Sequence, residues 1–153
     1  MYRVGLLILA LGVLAACKPA TPPPAPPAAA AEDAAIDQLL INEVAIGTGD
    51  PIGNGQTAVV HYTGWLYDPA APDHKGTKFD SSRDKGQPFR FVVGGGKVIQ
   101  GWDQGVLGMS VGGQRELVVP SRLAYGEAGA GGVIPPGATL LFDVELLAIE
   151  PAR

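Results

Sequence analysis

The stretch TAVVHYTGWLY, Thr57–Tyr67, alternates its side chains between two faces over its whole length. Alternation with a period of two is typical of a β-strand that lies with one side against a core. One face carries Ala58, Val60, Tyr62 and Gly64, and the other carries Val59, His61, Thr63 and Trp65. We therefore predict a strand here and take it as the reference for the rest of the chain.

Three further stretches have the composition of strands. They are PFRFVV at Pro88–Val93, QRELVV at Gln114–Val119 and TLLFDVELLAIE at Thr139–Glu150. Segments rich in glycine and proline separate them, which favours an antiparallel sheet.

One short segment indicates a helix, KVIQGWDQGVLG at Lys97–Gly108. Its larger apolar residues recur every four positions, at Val98, Trp102 and Val106. Gly101 and Gly105 make it a weak helix by propensity, so packing would have to hold it. A sheet against one short helix is an α+β domain.

The N-terminal part of the chain reads as an export signal followed by a tether. Val4–Ala16 is an unbroken apolar run of 13 residues, shorter than the roughly 20 needed to span a bilayer and suited to a secretory signal. A buried core helix is the alternative interpretation, which no amphipathic pattern supports. The run ends at LAAC, which resembles a bacterial lipobox, so we expect residues 1–16 to be a signal peptide and Cys17 to be lipidated. Multiple acyl chains there would anchor the protein stably to a membrane.

The residues after Cys17 complete the predicted organisation. Residues 17–35 form a Pro/Ala-rich tether, and residues 36–153 form one domain. Lys18 stands where an aspartate would favour retention at the inner membrane, so the prediction is an outer-membrane anchor facing the periplasm.

Composition excludes several classes of function. The chain carries 11 Lys and Arg against 15 Asp and Glu, and no basic cluster, so nucleic acid is not an expected partner. The two histidines, His61 and His74, lack metal-ligand spacing, so no metal site is expected. No nucleophile elbow or P-loop is present, and the glycines at Gly94–Gly96 lack the context of a phosphate loop.

Four motifs occur together in one order along the chain. They are VHYTGWL at 60–66, KFDSSRDKGQPFRF at 78–91, KVIQGWDQGVLGM at 97–109 and AYGEAGAGGVIPPGATLLFDVELL at 124–147. From about Ile41 to Ile149, this order resembles the FKBP-type peptidyl-prolyl cis-trans isomerases. The resemblance implies an antiparallel half-barrel sheet wrapped around one short helix, with an apolar pocket for a prolyl substrate and no cofactor.

The resemblance also implies the residues of that pocket. Trp102 would form its floor, while the backbone N–H of Ile99 and the hydroxyl of Tyr125 would each hold a substrate carbonyl. The implied catalytic residues are Tyr62, Phe79, Asp80, Trp102 and Tyr125. The implied substrate-binding residues are Phe89, Val98, Ile99, Val133, Ile134 and Phe142.

The residues themselves leave alternatives open. Trp102, Phe89 and Phe142 could simply fill the core, which is where Phe91 is expected in either case. Asp80 could serve merely as the first residue of a turn. Alternatively, it could orient polar groups together with Tyr125 and a nearby cation. For that cation the candidates are Arg83 and Lys85, and Lys85 occupies the position where the family usually has arginine.

Two segments depart from the family pattern. Residues 67–78 form an insertion, interpreted as a tolerated hairpin extension rather than a shaper of the rim. Residues 128–131, AGAG, form a small loop tip that offers few side-chain contacts.

The expected function is isomerisation of X-Pro bonds during folding of exported proteins. The alternative is a module that binds proline-containing segments, or acts as a chaperone, without catalysis. Macrolide inhibitors are possible ligands, and a monomer is expected.

Overall fold

The computed structural model describes residues 36–151. The predicted signal peptide, the predicted lipidation site Cys17 and the predicted tether lie outside the described residues. Within them, six strands and one α-helix are formed: β1 Leu40–Ala45, β2 Thr57–Tyr67, β3 Lys75–Ser81, β4 Phe89–Val92, α1 Gln100–Gly105, β5 Gln114–Val119 and β6 Leu140–Glu150. Three 3-10 turns, Pro72–His74, Ser121–Leu123 and Gly126–Ala128, lie in the connections.

The strands form one antiparallel sheet. Its order is β1-β5-β6-β2-β3, and β4 also pairs with β2. β2 and β6 are the two longest strands and pair from Thr57 with Glu150 to Leu66 with Leu140. The predicted α+β architecture is therefore confirmed, and the four predicted strands, β2, β4, β5 and β6, have bounds within one residue of those read from the sequence, whereas β1 and β3 were not predicted.

Helix α1 is shorter than the predicted segment and lies on one face of the sheet. A Cβ at Gly101 would lie 2.3 Å from Cγ1 of Val119, and one at Gly105 would lie 2.7 Å from Cδ1 of Leu117. The two glycines that weaken the helix locally are thus what lets its backbone sit directly on β5. Trp102, between them in sequence, belongs to the core formed by this contact.

The insertion at residues 67–78 forms the β2–β3 connection. The Tyr67 ring stacks on His74 with centroids 5.2 Å apart, and the backbone N–H of Asp68 donates to the His74 carbonyl. Asp73 and His74 both have positive φ. The hairpin is closed by its own contacts.

Candidate active site

Aromatic rings surround Trp102 on the face of the sheet that carries α1. The Trp102 ring lies 4.9 Å from Tyr62 and 5.3 Å from Phe142, both nearly perpendicular to it. Phe89 contacts it at 5.9 Å and Phe91 at 5.5 Å. Edge-to-face packing of this kind is the favoured arrangement of aromatic pairs. Trp102 is 4% exposed, so it serves the core and this ring cluster at once.

Gly64 explains how a second aromatic pair forms at the edge of the cluster. A Cβ at Gly64 would lie 2.7 Å from Cζ of Phe79 and 2.8 Å from Cε1 of Phe142. Because glycine stands there, the two rings meet perpendicular to each other with centroids 5.7 Å apart. Phe79 thereby closes the β3 side of the cluster.

A polar chain crosses the edge of the aromatic cluster. The Tyr62 hydroxyl donates to Oδ2 of Asp80 at 2.5 Å, and Lys85 Nζ lies 2.6 Å from Oδ1. The backbone N–H of Ser81 donates to the same Oδ1 at 2.8 Å. Asp80 therefore both forms a local turn contact and orients Tyr62. The phenol bonded to Asp80 is that of Tyr62, and no hydrogen bond joins Asp80 to Tyr125 within the described residues. Of the two candidate cations, Lys85 pairs with Asp80, whereas Arg83 pairs with Glu145.

These contacts shift the pKa values of Tyr62 and Asp80 in opposite directions. Burial, followed by the hydrogen bond and negative charge of Asp80, raises the pKa of Tyr62 well above its usual value. Burial alone would also raise the pKa of Asp80. The hydrogen bond from Lys85 and then that from Tyr62 outweigh it and lower the pKa of Asp80 below its usual range. Asp80 is therefore charged at neutral pH, whereas Tyr62 stays protonated.

The segment leading into α1 is held by a carboxylate of the helix itself. Asp103 accepts from the backbone N–H of Gly94 at 2.9 Å and from that of Gly96 at 3.1 Å. The Ile99 carbonyl accepts from the N–H groups of Trp102 and Asp103 and begins the helix. The N–H of Ile99 donates no hydrogen bond within residues 36–151.

The loop before β6 brings one of its predicted residues to the cluster and leaves two elsewhere. Tyr125 lines the cavity and is 42% exposed. Val133 is 58% exposed, Ile134 is buried in the hydrophobic core, and neither lines the cavity. A pair of backbone hydrogen bonds between Ala130 and Ile134 closes the loop into a tight hairpin. This hairpin turns Ile134 inward, into the same core cluster as Trp102 and Phe142, and leaves Val133 at the surface. Neither residue borders the cavity, and their expected part in substrate binding stays a prediction.

The cavity formed by these elements has a volume of about 180 Å³. The residues around it come from four strands, α1 and two loops: Tyr62, Phe79, Asp80, Phe89, Lys97, Val98, Ile99, Trp102, Tyr125 and Phe142. Sequence reasoning missed Lys97, although it begins the quoted helix motif. It also missed Asp103, whose role depends on a backbone contact that no sequence pattern displays.

A larger groove, of about 480 Å³, is lined mostly by residues of β5 and β6. Its lining includes Lys75, Arg83 and Arg115, which pair with Asp143, Glu145 and Glu43. Its charges thus largely satisfy one another. The smaller aromatic cavity has the apolar floor and few polar groups expected of a ligand site.

The described part of the chain contains no cluster of His, Cys, Asp and Glu able to hold a metal ion. Within the same residues, no helix is long and apolar enough to cross a bilayer.

The fold and the aromatic cavity define a class of enzyme. Residues 49–147 match the family model described as FKBP-type peptidyl-prolyl cis-trans isomerase. This match covers more than half of the chain, and the chain belongs to that family. The predicted enzyme class is thereby confirmed.

Three similar proteins support this assignment. The chain is 58% identical over 100 residues to FK506-binding protein 2B of Rhizopus delemar, covering 65% of this chain but 45% of that protein. It is 50% identical over 111 residues to the FK506-binding protein of Neisseria meningitidis serogroup A, covering 72% of this chain and 95% of that one. Among solved structures, FkpA from Escherichia coli superimposes with a TM-score of 0.65 at 42% identity, covering 75% of this chain and 49% of FkpA. The chain thus spans about half the length of two of these relatives.

Proposed function

We propose that this isomerase accelerates rotation of X-Pro peptide bonds in exported polypeptides, acting from a lipid anchor at Cys17. The observation that carries the catalytic part is the aromatic cavity built on Trp102, with a charged carboxylate at its edge. The lipobox-like LAAC and the Pro/Ala-rich residues after it support the anchored location. The anchor would face the periplasm, at the outer membrane.

The reaction suits a site of this composition. Twisting an amide costs about 18–20 kcal/mol because resonance is lost, while the two X-Pro isomers differ by about 1 kcal/mol or less. Rotation leaves every covalent bond intact, so the protein need only bind the twisted amide better than either planar form. The twisted amide is less polar than the planar one, so an apolar, water-poor cavity favours it.

We assign the roles as follows. The indole of Trp102 supports the proline ring, and the walls are Tyr62, Phe79, Phe89, Val98 and Phe142. The N–H of Ile99 and the hydroxyl of Tyr125, which also border the cavity, donate hydrogen bonds to substrate carbonyls. Neither group donates a hydrogen bond within residues 36–151, which leaves both available. Asp80 holds the Tyr62 phenol in place so that its ring, and not its hydroxyl, faces the substrate.

The relatives named for FK506 suggest a ligand as well as a substrate. We propose that macrolides of this class bind the same cavity and compete with proline-containing clients. Displacement of a labelled macrolide by a Leu-Pro peptide tests this. Simultaneous binding of both would refute a shared cavity.

The anchored location is tested separately from catalysis. The full chain and its Cys17→Ser variant are expressed in a diderm bacterium and fractionated. We expect lipid labelling and outer-membrane recovery of the parent and loss of both in the variant. Recovery of the parent as an unlabelled soluble protein would exclude the anchor without touching the catalytic assignment.

Oligomeric state forms a further part of the proposal. We expect a monomer, and sedimentation of the protein at micromolar concentration tests it. A mass twice that of one chain would refute it.

A further inference from the structure

One cation at the cavity mouth lacks a partner. Residues 36–151 contain eight Lys and Arg residues, and seven of them form ion pairs within 4.0 Å. The eighth is Lys97, which is exposed and lines the aromatic cavity. A charge left unpaired at a substrate cavity, in a protein that pairs its other described cations, is available to a ligand.

The carboxylates near Lys97 are occupied by other groups. Asp80, which also lines the cavity, is held by Tyr62 and by Lys85. Asp103 accepts the backbone N–H groups of Gly94 and Gly96. The groups around Lys97 thus carry two positive charges, from Lys85 and Lys97, and two negative ones, from Asp80 and Asp103, whereas the whole chain has a net charge of −4.

The backbone that carries Lys97 is fixed on both sides. Gly96, the preceding residue, is held by Asp103, and Ile99, two residues later, begins α1. The Lys97 side chain therefore starts from a defined point beside the N–H of Ile99. A polypeptide whose proline lies on Trp102 must leave the cavity past one side of this mouth.

We propose that Lys97 selects clients carrying an acidic residue close to the isomerised proline. The inference rests on the proposed placement of the proline in the Trp102 cavity. Because Lys97 is exposed, its pairing with a client carboxylate has the strength of a surface ion pair. This corresponds to about a two- to fivefold gain in kcat/KM, and the gain falls as salt is added.

A peptide panel tests the proposal. Peptides with a fixed Leu-Pro core carry Glu, Gln or Lys either one residue before the leucine or one residue after the proline. Isomerisation is measured at low and at high salt. The proteins are the parent, Lys97→Gln, Lys97→Glu and the control Lys78→Gln, which removes an equal charge at a lysine paired with Asp84 outside the cavity.

We expect the parent and Lys78→Gln to prefer Glu over Gln about two- to fivefold on at least one side of the proline. Lys97→Gln should abolish that ratio, and Lys97→Glu should reverse it in favour of Lys peptides. A parent with no preference, or a preference that survives in Lys97→Gln, would overturn the role of Lys97 while leaving the isomerase intact. Absence of acceleration with every peptide would overturn the cavity assignment and, with it, this proposal.

Discussion

The Tyr62 hydroxyl donates a 2.5 Å hydrogen bond to the carboxylate of Asp80, whose pKa is held below its usual range by Lys85 and by this bond. The contact joins β2 to β3 at the edge of the cavity. It fixes the tilt of the Tyr62 ring against Trp102, whose centroid lies 4.9 Å away. Polar and aromatic parts of the site are thus coupled through one phenol.

Tyr62 should not ionise while the protein is folded. Because burial and Asp80 raise its pKa, it favours the folded state below the ordinary tyrosine pKa of about 10 and loses that contribution as pH rises beyond it. In an absorbance titration at 295 nm, Tyr62→Phe should leave the step between pH 9 and 11 unchanged. A step smaller by one tyrosine would show that Tyr62 titrates normally.

Lys85 should be a main cause of the low pKa of Asp80. The pKa of Asp80 is lowered, so its stabilising contribution is present above the ordinary value of about 3.9 and lost as pH falls through the lower folded value. Lys85→Met should raise the pKa of Asp80, observed by carboxyl ¹³C NMR, whereas Lys78→Met should not. Equal titration curves in all three proteins would refute the role of Lys85.

The close contact between α1 and β5 predicts an unusual helix substitution. Gly101→Ala should destabilise the protein by about 1–3 kcal/mol through overpacking against Val119, although alanine favours an isolated helix by about 1 kcal/mol. The exposed Gln104→Ala on the same helix should be neutral or slightly stabilising. Urea unfolding measures both, and a stabilised Gly101→Ala would contradict the packing described.

Substitutions of Trp102 and Phe91 should distinguish an effect on stability from an effect on catalysis. Both are buried and in contact, but only Trp102 lines the cavity. Each change to leucine should lower the free energy of unfolding by an amount on the order of 1–3 kcal/mol. Trp102→Leu should also lower kcat/KM at least tenfold, while Phe91→Leu, assayed where it is fully folded, should stay within about threefold of the parent. Equal losses in both variants would make the ring cluster a core and nothing more.

The sequence predicted the strands that bury one face. β2, β5 and β6 alternate because one side of each packs on α1 or on the core. β1 and β3 were missed because they lie at the two ends of the sheet: β1 is largely exposed on both sides, and β3, KGTKFDS, has few residues to bury. A pattern of burial cannot reveal a strand that buries little.

The candidate site divides in the same way. The order of the four motifs identified the aromatic residues of the cavity. Those that lie on strands share one face because alternate positions of a strand point to the same side of the sheet. The pairing of Asp80 with the hydroxyl of Tyr62 could not be predicted, unlike that with Lys85, since it depends on how β3 pairs with β2, where Gly64 faces Asp80. The inward turn of Ile134 depends on the Ala130–Ile134 hydrogen bonds, which no local composition shows.

The central claim is that the Trp102 cavity catalyses X-Pro rotation, and one assay tests it most directly. The relaxation of a Leu-Pro peptide is followed with the protein, with the protein plus an FK506-type macrolide, and with Trp102→Leu. We expect acceleration proportional to protein concentration, abolished by the macrolide and reduced at least tenfold in the variant. Peptide binding without acceleration, or acceleration that neither the macrolide nor Trp102→Leu affects, would contradict it.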